Sequence, residues 1–261
     1  MRFLVIGSNT SLGKKVVKEL KSRDYNDVLE YDKEQNFDNE KHAHSCIFYS
    51  EPDIVLYLAD YKGNDIKKSK KINFISAKNV ASECKKVGAK LIYLSTPEVF
   101  NPFKNNSHKE EDTYEPSTLY GENKFCGEMY SLSNPKTFIV RTSCIIDESD
   151  SFKEEISNKN GNDIVSITYS NDLAKLLIDM SLTEKYGIYH VTNQGSLSIN
   201  KLNEYINKIY GINLEVSSDA PTKNYTLSSE KLVKNGLYLL PSYEDALDRL
   251  DHEIKKKLLL K

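Results

Sequence analysis

A tyrosine and a lysine lie four residues apart, at Tyr120 and Lys124. On a helix this spacing places both side chains on one face. A free phenol ionises near pH 10, too high for efficient acid–base catalysis at neutral pH, and a neighbouring ammonium group favours the phenolate. With 17 tyrosines in the chain, such a pair also arises by chance on a protein surface. The residues around it therefore decide whether the pair is catalytic.

Two hydroxyl side chains, Ser95 and Thr96, end an apolar run that begins at Lys90. Ligands bind at the carboxyl edge of a parallel sheet, so these hydroxyls belong where a substrate would lie. A hydroxyl there can donate to a carbonyl or alkoxide oxygen. We therefore predict Thr96, Tyr120 and Lys124 as the catalytic residues. The alternative is that the two hydroxyls cap the end of the strand.

A glycine turn follows the first apolar run, with Gly7 and Gly13 at its ends and Thr10 where a GxxGxxG pattern has its middle glycine. Such a turn lets the backbone approach a pyrophosphate at a helix N-terminus. Asp32 lies where a carboxylate binds the adenosine ribose of NAD, whereas Lys33 suits the 2′-phosphate of NADP. The pattern predicts a dinucleotide and leaves NADH and NADPH open. A ligand-free βα turn, with Asp32 as an exposed turn residue, is the alternative.

Apolar runs alternate with helical patterns in the first half of the chain, which predicts βαβ units. The predicted strands and helices there are 3–6, 12–20, 28–29, 53–58, 72–87, 90–94, 119–132 and 137–140. The second half gives strands at 164–167 and 187–191 and helices at 171–180, 198–210, 228–235 and 243–257. We predict an α/β fold: a Rossmann-type doubly wound parallel sheet with a small C-terminal α/β substrate lobe. The predicted domains are 1–143, which binds NAD(P), and 144–261, interleaved with the first.

The composition argues against several classes of partner. Thirty-six basic and 38 acidic residues give a formal net charge of −2, so no broad field attracts nucleic acid or an anionic membrane. The four cysteines form no CxxC pair and have no histidine at zinc-ligand spacing, so no metal is predicted. No signal peptide or run of about 20 apolar residues is found. We expect a cytoplasmic protein with reduced thiols.

Several segments together resemble the dTDP-4-dehydrorhamnose reductase family of extended short-chain dehydrogenases/reductases. Beyond the glycine turn, the matching segments are Leu58-Ala59-Asp60-Tyr61, Asn73, Ser95-Thr96-Pro97-Glu98-Val99-Phe100, Tyr120-Gly121-Glu122-Asn123-Lys124, Arg141-Thr142-Ser143 and Gly187-Ile188-Tyr189-His190-Val191. The chain departs from the family at Thr10, Tyr57, Asp60, Pro97 and Cys144. The span 152–163 is also shorter than in the family.

The resemblance implies that Tyr120 protonates a 4-keto oxygen while NADPH or NADH delivers hydride to C4, with Lys124 and Thr96 assisting. The cofactor-binding residues it implies are Gly7, Asn9, Thr10, Ser11, Leu12, Gly13, Asp32, Leu58, Ala59, Tyr61, Ser95, Tyr120 and Lys124. The substrate-binding residues it implies are Thr96, Pro97, Glu98, Phe100, Ser143 and Cys144.

The predicted function is NAD(P)H-dependent reduction, or epimerisation and reduction, of a nucleotide-linked 4-keto-6-deoxy sugar such as dTDP-4-dehydrorhamnose, for surface polysaccharide. The alternative is a nucleotide-binding regulatory subunit of the same fold, as in the β subunit of methionine adenosyltransferase. A short-chain enzyme acting on another carbonyl is a third reading. The expected partner is a nucleotide sugar, with neither nucleic acid nor membrane, and a homodimer is left open.

Overall fold

The computed structural model of the chain describes residues 1–149 and 151–259. Its main sheet has six strands. In sheet order they are β2 (Val28–Tyr31), β1 (Phe3–Ile6), β3 (Ile54–Tyr57), β4 (Lys90–Ser95), β5 (Thr137–Arg141) and β9 (Gly187–His190). The strand order reverses between β1 and β3, and such a reversal creates the crevice in which sheets of this kind bind ligands. The first five pair in parallel, in agreement with the predicted fold class.

The central strands are apolar throughout because helices cover both faces of a parallel sheet. Every residue of β1 and of β3 is buried. The helices of this part are α1 (Ser11–Ser22), α2 (Glu40–Phe48), α3 (Ile66–Lys70), α4 (Ala77–Val87), α5 (Leu119–Ser131) and α7 (Ser170–Ser181). A π-helical turn, Lys71–Ser76, joins α3 to α4, and a 3₁₀ turn, Pro97–Val99, follows β4.

Short strands and helices make up the rest of the chain. The strands are β6 (Ile145–Ile146), β7 (Ile164–Val165), β8 (Thr168–Tyr169), β10 (Asn193–Gln194), β11 (Leu197–Ser198), β12 (Asn224–Tyr225) and β13 (Leu240–Ser242). The helices are α6 (Ser151–Ser157), α8 (Ile199–Tyr210), α9 (Glu230–Lys234) and α10 (Tyr243–Leu259). Gly211 ends α8 at a φ of 68°, the left-handed cap that its sequence position predicts.

By their internal contacts the residues form two units. The first consists of 1–100, 113–141 and 174–189, and the second of 101–112, 142–173 and 190–261. Each has its own apolar core, one around β1, β3 and β4 and the other around β7, α8 and α10. Segment 101–112 therefore belongs to the second unit although it precedes the predicted domain boundary at 143/144, and segment 174–189 belongs to the first unit although it follows that boundary. The assignment of cofactor binding to one domain and substrate binding to the other stays a prediction.

Several elements differ from the sequence prediction, among them α2 and the predicted strand 164–167. Helix α2 was not predicted, because its buried residues Ala43, Cys46 and Ile47 give only a narrow apolar stripe. The predicted strand 164–167 is a strand only at β7 (Ile164–Val165), which pairs with β11 and β12; a separate strand, β8 (Thr168–Tyr169), follows two residues later and pairs with β6. Periodicity alone could not reveal this early end of the strand or the change of partner after it.

Candidate active site

The glycine turn joins β1 to α1 with little room to spare. Gly7 has a φ of 92°, and a Cβ there would lie 2.8 Å from the backbone nitrogen of Ala59. A Cβ on Gly13 would overlap the carbonyl oxygen of Gly7. Gly7 is therefore required by its left-handed φ and by the close approach of the segment after β3, and Gly13 by the close approach of α1 to the turn.

Thr10 occupies the position of the middle glycine without strain, at a φ of −71°. Its hydroxyl donates to the Gly7 carbonyl (2.7 Å) and accepts from the Gly13 N–H (3.0 Å), which caps α1. Within the described part of the chain, the N–H groups of Ser11 and Leu12 have no recorded acceptor. These free donors at a helix N-terminus fit a pyrophosphate.

The second strand brings Asp32 next to this turn. The N–H groups of Gly7 and Ser8 both donate to the Tyr31 carbonyl, at 2.8 and 3.0 Å. Asn9 accepts the N–H of Lys33 at 3.0 Å. Asp32 itself is exposed directly after β2. Its carboxylate is thus available to a ribose beside the glycine turn.

The predicted catalytic pair lies in the first turns of α5. Lys124 is 1% exposed, and its Nζ donates to the Leu94 carbonyl at 2.6 Å. The same nitrogen lies 4.5 Å from the centre of the Tyr93 ring. Burial lowers the pKa of Lys124, and the carboxylate of Asp60 opposes this effect. Lys124 is therefore a cation fixed beneath the carboxyl edge of the sheet.

Asp60, after β3, contacts both members of the pair. The Tyr120 hydroxyl donates to the two carboxylate oxygens of Asp60 at 3.0 and 3.1 Å, and Lys124 Nζ is 3.6 Å from one of them. The sequence analysis noted Asp60 only as a departure from its family and did not include it among the site residues. That departure, a charge in place of a small residue, was the signal available.

The segment that carries Asp60 is held by Asn73, on the π-helical turn. The Asn73 amide accepts the Tyr61 N–H at 3.0 Å and donates to the Tyr61 carbonyl at 2.7 Å. The carbonyl of Asn73 accepts the Tyr93 hydroxyl at 2.8 Å. A π-helical turn frees backbone carbonyls in this way and often occurs at functional sites.

The hydroxyl pair lies at the carboxyl end of β4 as predicted, with Ser95 its last residue, and both residues are buried. Thr96 accepts the Glu98 N–H at 3.3 Å and so caps the 3₁₀ turn. The Ser95 hydroxyl has no hydrogen-bond partner within the described residues. A buried orphan hydroxyl at this edge fits a polar ligand group and favours the predicted cofactor contact.

The remaining predicted residues differ in their surroundings. Leu58 and Ala59 are buried after β3, next to Gly7. Phe100 is buried beneath the Arg141 guanidinium, 4.8 Å from it, and its contact with substrate stays a prediction. Ser143 and Cys144 are buried in the second unit, where Cys144 has a φ of 24°.

A surface cavity of about 400 Å³ lies between α2 and α4, away from the predicted site. His44 and Glu83 are in its lining, and none of the predicted site residues lines it. In residues 1–149 and 151–259, no cluster of metal-ligating side chains is found. No helix in the same ranges has the length and apolar character needed to cross a membrane.

Comparison with known proteins identifies relatives of this chain. The chain is 29% identical over 214 residues to the spore coat polysaccharide biosynthesis protein SpsK of Bacillus subtilis, covering 76% of this chain and 75% of that one. It is 28% identical over 220 residues to the dTDP-4-dehydrorhamnose reductase of Aggregatibacter actinomycetemcomitans, with coverage of 76% and 75%. The mouse methionine adenosyltransferase 2 subunit beta is 29% identical, over 51% of this chain and 43% of its own.

A crystal structure of the Bacillus anthracis dTDP-4-dehydrorhamnose reductase in complex with NADP superimposes with a TM-score of 0.85. The identity is 28%, and the match covers 97% of this chain and 98% of that one. The family model described as the RmlD substrate binding domain matches residues 1–254. These matches confirm the prediction of a nicotinamide-dependent oxidoreductase of the extended short-chain type. The chain belongs to the RmlD substrate-binding domain family.

Proposed function

We propose that this protein reduces the 4-keto group of a nucleotide-linked 4-keto-6-deoxy sugar, such as dTDP-4-dehydrorhamnose, in the synthesis of a surface polysaccharide sugar. The observation that carries the proposal is the Tyr120–Lys124 pair on α5, which is tied to the carboxyl end of β4 through Leu94. Relatives named as dTDP-4-dehydrorhamnose reductases support the substrate class.

A nicotinamide cofactor held at this site would supply hydride to C4 of the sugar. Tyr120 then gives its phenolic proton to the carbonyl oxygen as that oxygen gains negative charge. Thr96 donates a second hydrogen bond to the same oxygen. Lys124 holds a ribose hydroxyl of the cofactor and supplies positive charge near the phenol.

Either nicotinamide dinucleotide fits the adenosine end of the site. The exposed Asp32 carboxylate favours the two free hydroxyls of NADH, and Lys33 favours the 2′-phosphate of NADPH. Ser11 and Leu12 offer N–H donors to the pyrophosphate of both. We expect both cofactors to bind.

The alternative function, that of a nucleotide-binding regulatory subunit of the same fold, has weaker support. The methionine adenosyltransferase subunit matches 51% of this chain, whereas reductase relatives match three quarters or more. The catalytic types at Thr96, Tyr120 and Lys124 are also all present. Reduction is therefore the function that we propose.

The test is turnover of dTDP-linked and UDP-linked 4-keto-6-deoxy sugars with NADPH or NADH, followed by the loss of reduced cofactor. We expect Tyr120→Phe to lower kcat by about 100- to 10,000-fold, since a positioned acid contributes that much. Its cofactor Kd should stay near that of the wild type. Tyr130→Phe, at an exposed position on the same helix, is the control and should keep full activity. A wild-type protein that reduces none of these sugars would contradict the proposal.

A further inference from the structure

Asp60 is placed between the two groups that form the catalytic pair. Both of its carboxylate oxygens accept the Tyr120 hydroxyl, and one lies 3.6 Å from Lys124 Nζ. A Tyr–Lys pair alone has one positive charge next to the phenol. Here a carboxylate lies in direct contact with the phenol, so the site contains a compensated Tyr–Asp–Lys triad.

We propose that Asp60 is a positioning residue that keeps Tyr120 protonated and aligned as a proton donor, and so biases the site towards reduction. The inference rests on the proposed role of Tyr120 in the proposed function. It differs from the catalytic pair itself, because Asp60 acts through Tyr120 and Lys124 and is not assigned a contact with substrate.

The physical basis is the balance of charge around the phenol. A cation near a phenol favours the phenolate, whereas an anion in contact with it disfavours the phenolate. Asp60 makes that contact directly, at 3.0 Å. Lys124 has its own hydrogen bond to the Leu94 carbonyl. The anion is therefore in direct hydrogen-bond contact with the phenol in this arrangement.

Other charged or titratable groups near the pair, among the described residues, lie on four elements. Lys62, in the loop with Asp60, has its Nζ 5.9 Å from the centre of the Tyr120 ring. On α5 the buried Glu128 faces Lys124 but is itself paired with Arg141 at 2.7 Å. Glu98, on the 3₁₀ turn, accepts the Thr118 hydroxyl at 3.2 Å.

The fourth element is β4, which contributes Tyr93, whose ring lies against Lys124 Nζ. Lys62 and Lys124 together favour the phenolate, so removal of Asp60 leaves two cations without the anion that offsets them at Tyr120. The expected direction of change follows: without Asp60, Tyr120 loses its proton at lower pH.

The position of Asp60 is set by the fold. The next residue, Tyr61, is held through both its backbone N–H and its carbonyl by Asn73. The preceding residue, Ala59, packs against Gly7. Asp60 is 26% exposed at its side chain, so its carboxylate stays in contact with solvent while it holds the phenol. The contact is therefore built by two neighbouring segments.

The test compares wild type with Asp60→Asn, which keeps the shape but removes the charge, and Asp60→Ala, which restores a small residue. The ionisation of Tyr120 is followed by NMR of carbon-13-labelled tyrosine, with Tyr120→Phe to assign the signal. We expect both Asp60 variants to ionise Tyr120 at a pH lower by about one unit, a tenfold change in proton affinity. The alkaline limb of kcat/KM for reduction should move in the same direction.

Asp179→Asn is the matched control, because this partly exposed carboxylate pairs with Arg23 at the opposite end of the sheet. It should leave the Tyr120 midpoint unchanged. A midpoint that stays the same or rises in Asp60→Asn would overturn the inference, and this isosteric variant decides the matter if alanine loosens the loop. The NMR titration needs no turnover: a shifted midpoint in a protein that reduces no sugar supports the inference and contradicts only the proposed function.

Discussion

Lys124 is a buried cation whose nearest anion is only partly buried. It is 1% exposed, and Asp60 lies 3.6 Å away with 26% of its side chain exposed. Burial lowers the pKa of Lys124 below that of a free lysine. A buried charge of this kind lowers stability, since an apolar side chain of similar volume would fill the same space without the desolvation penalty.

We therefore expect Lys124→Met to raise the free energy of unfolding by about 1 kcal/mol or more while reduction and cofactor affinity are lost. The folded protein binds the proton of Lys124 less tightly than the unfolded chain does. The free energy of unfolding of the wild type therefore rises with pH over the interval below about 10.5. The difference in this free energy between the variant and the wild type should shrink over that interval. Urea unfolding at several pH values measures it, with the exposed Lys18→Met as control. A variant less stable than wild type at neutral pH would contradict this account.

Helix α5 approaches the 3₁₀ turn after Thr96 so closely that only glycine fits at position 121. A Cβ there would overlap the Glu98 carbonyl oxygen, and one at Gly127 would overlap the Tyr93 hydroxyl. These two glycines set the distance between α5 and β4. The same distance fixes where Tyr120 lies relative to the end of the strand.

Gly121→Ala should therefore both destabilise the protein and move Tyr120, the proposed proton donor. Overpacking of this kind costs about 1–3 kcal/mol. We expect a lower melting temperature and a reduced kcat, because Tyr120 is the adjacent residue. Glu122→Ala, exposed one position further along α5, is the control and should change neither. If Gly121→Ala kept the wild-type kcat, the spacing would not matter for catalysis.

The second unit contains a buried histidine that makes the whole chain sensitive to acid. The backbone N–H of His108 donates to the Thr226 carbonyl at 2.9 Å, and its own carbonyl accepts the Ser228 N–H at 2.8 Å. Burial lowers the pKa of His108, against the opposing effects of a backbone hydrogen bond to Asn224 and of Asp112. The ring is therefore buried mainly in its neutral form.

The sign of the pH effect follows from this lowered pKa. Below about pH 6.5 the unfolded chain protonates His108 while the folded chain resists, so stability falls as the pH falls through that interval. We expect the melting temperature to drop between about pH 7 and pH 5 and His108→Gln to flatten that slope. His252→Gln, at an exposed position, is the control. An identical slope in His108→Gln and wild type would exclude this histidine as the cause.

The sequence by itself determined the class of fold and supplied the prediction of the catalytic residues. The alternation of apolar strands and helical patterns predicts the parallel sheet, because buried parallel strands must be apolar along their length. Local sequence rules also predict which residues are catalytic. They are the four-residue spacing of Tyr120 and Lys124 and the two hydroxyl side chains at the carboxyl end of β4. The observed α5 and β4 carry these residues as expected.

Only the tertiary structure decided which distant groups contact them. Asp60 and Tyr120 are 60 positions apart, and they meet because the segment after β3 and the start of α5 share one edge of the sheet. The π-helical turn and the pairing of Asn73 with Tyr61 likewise depend on packing between segments. Periodicity records the face that a residue presents to the core, but it carries no information about which loop lies opposite. The anion beside the Tyr120 phenol is therefore a property of the fold.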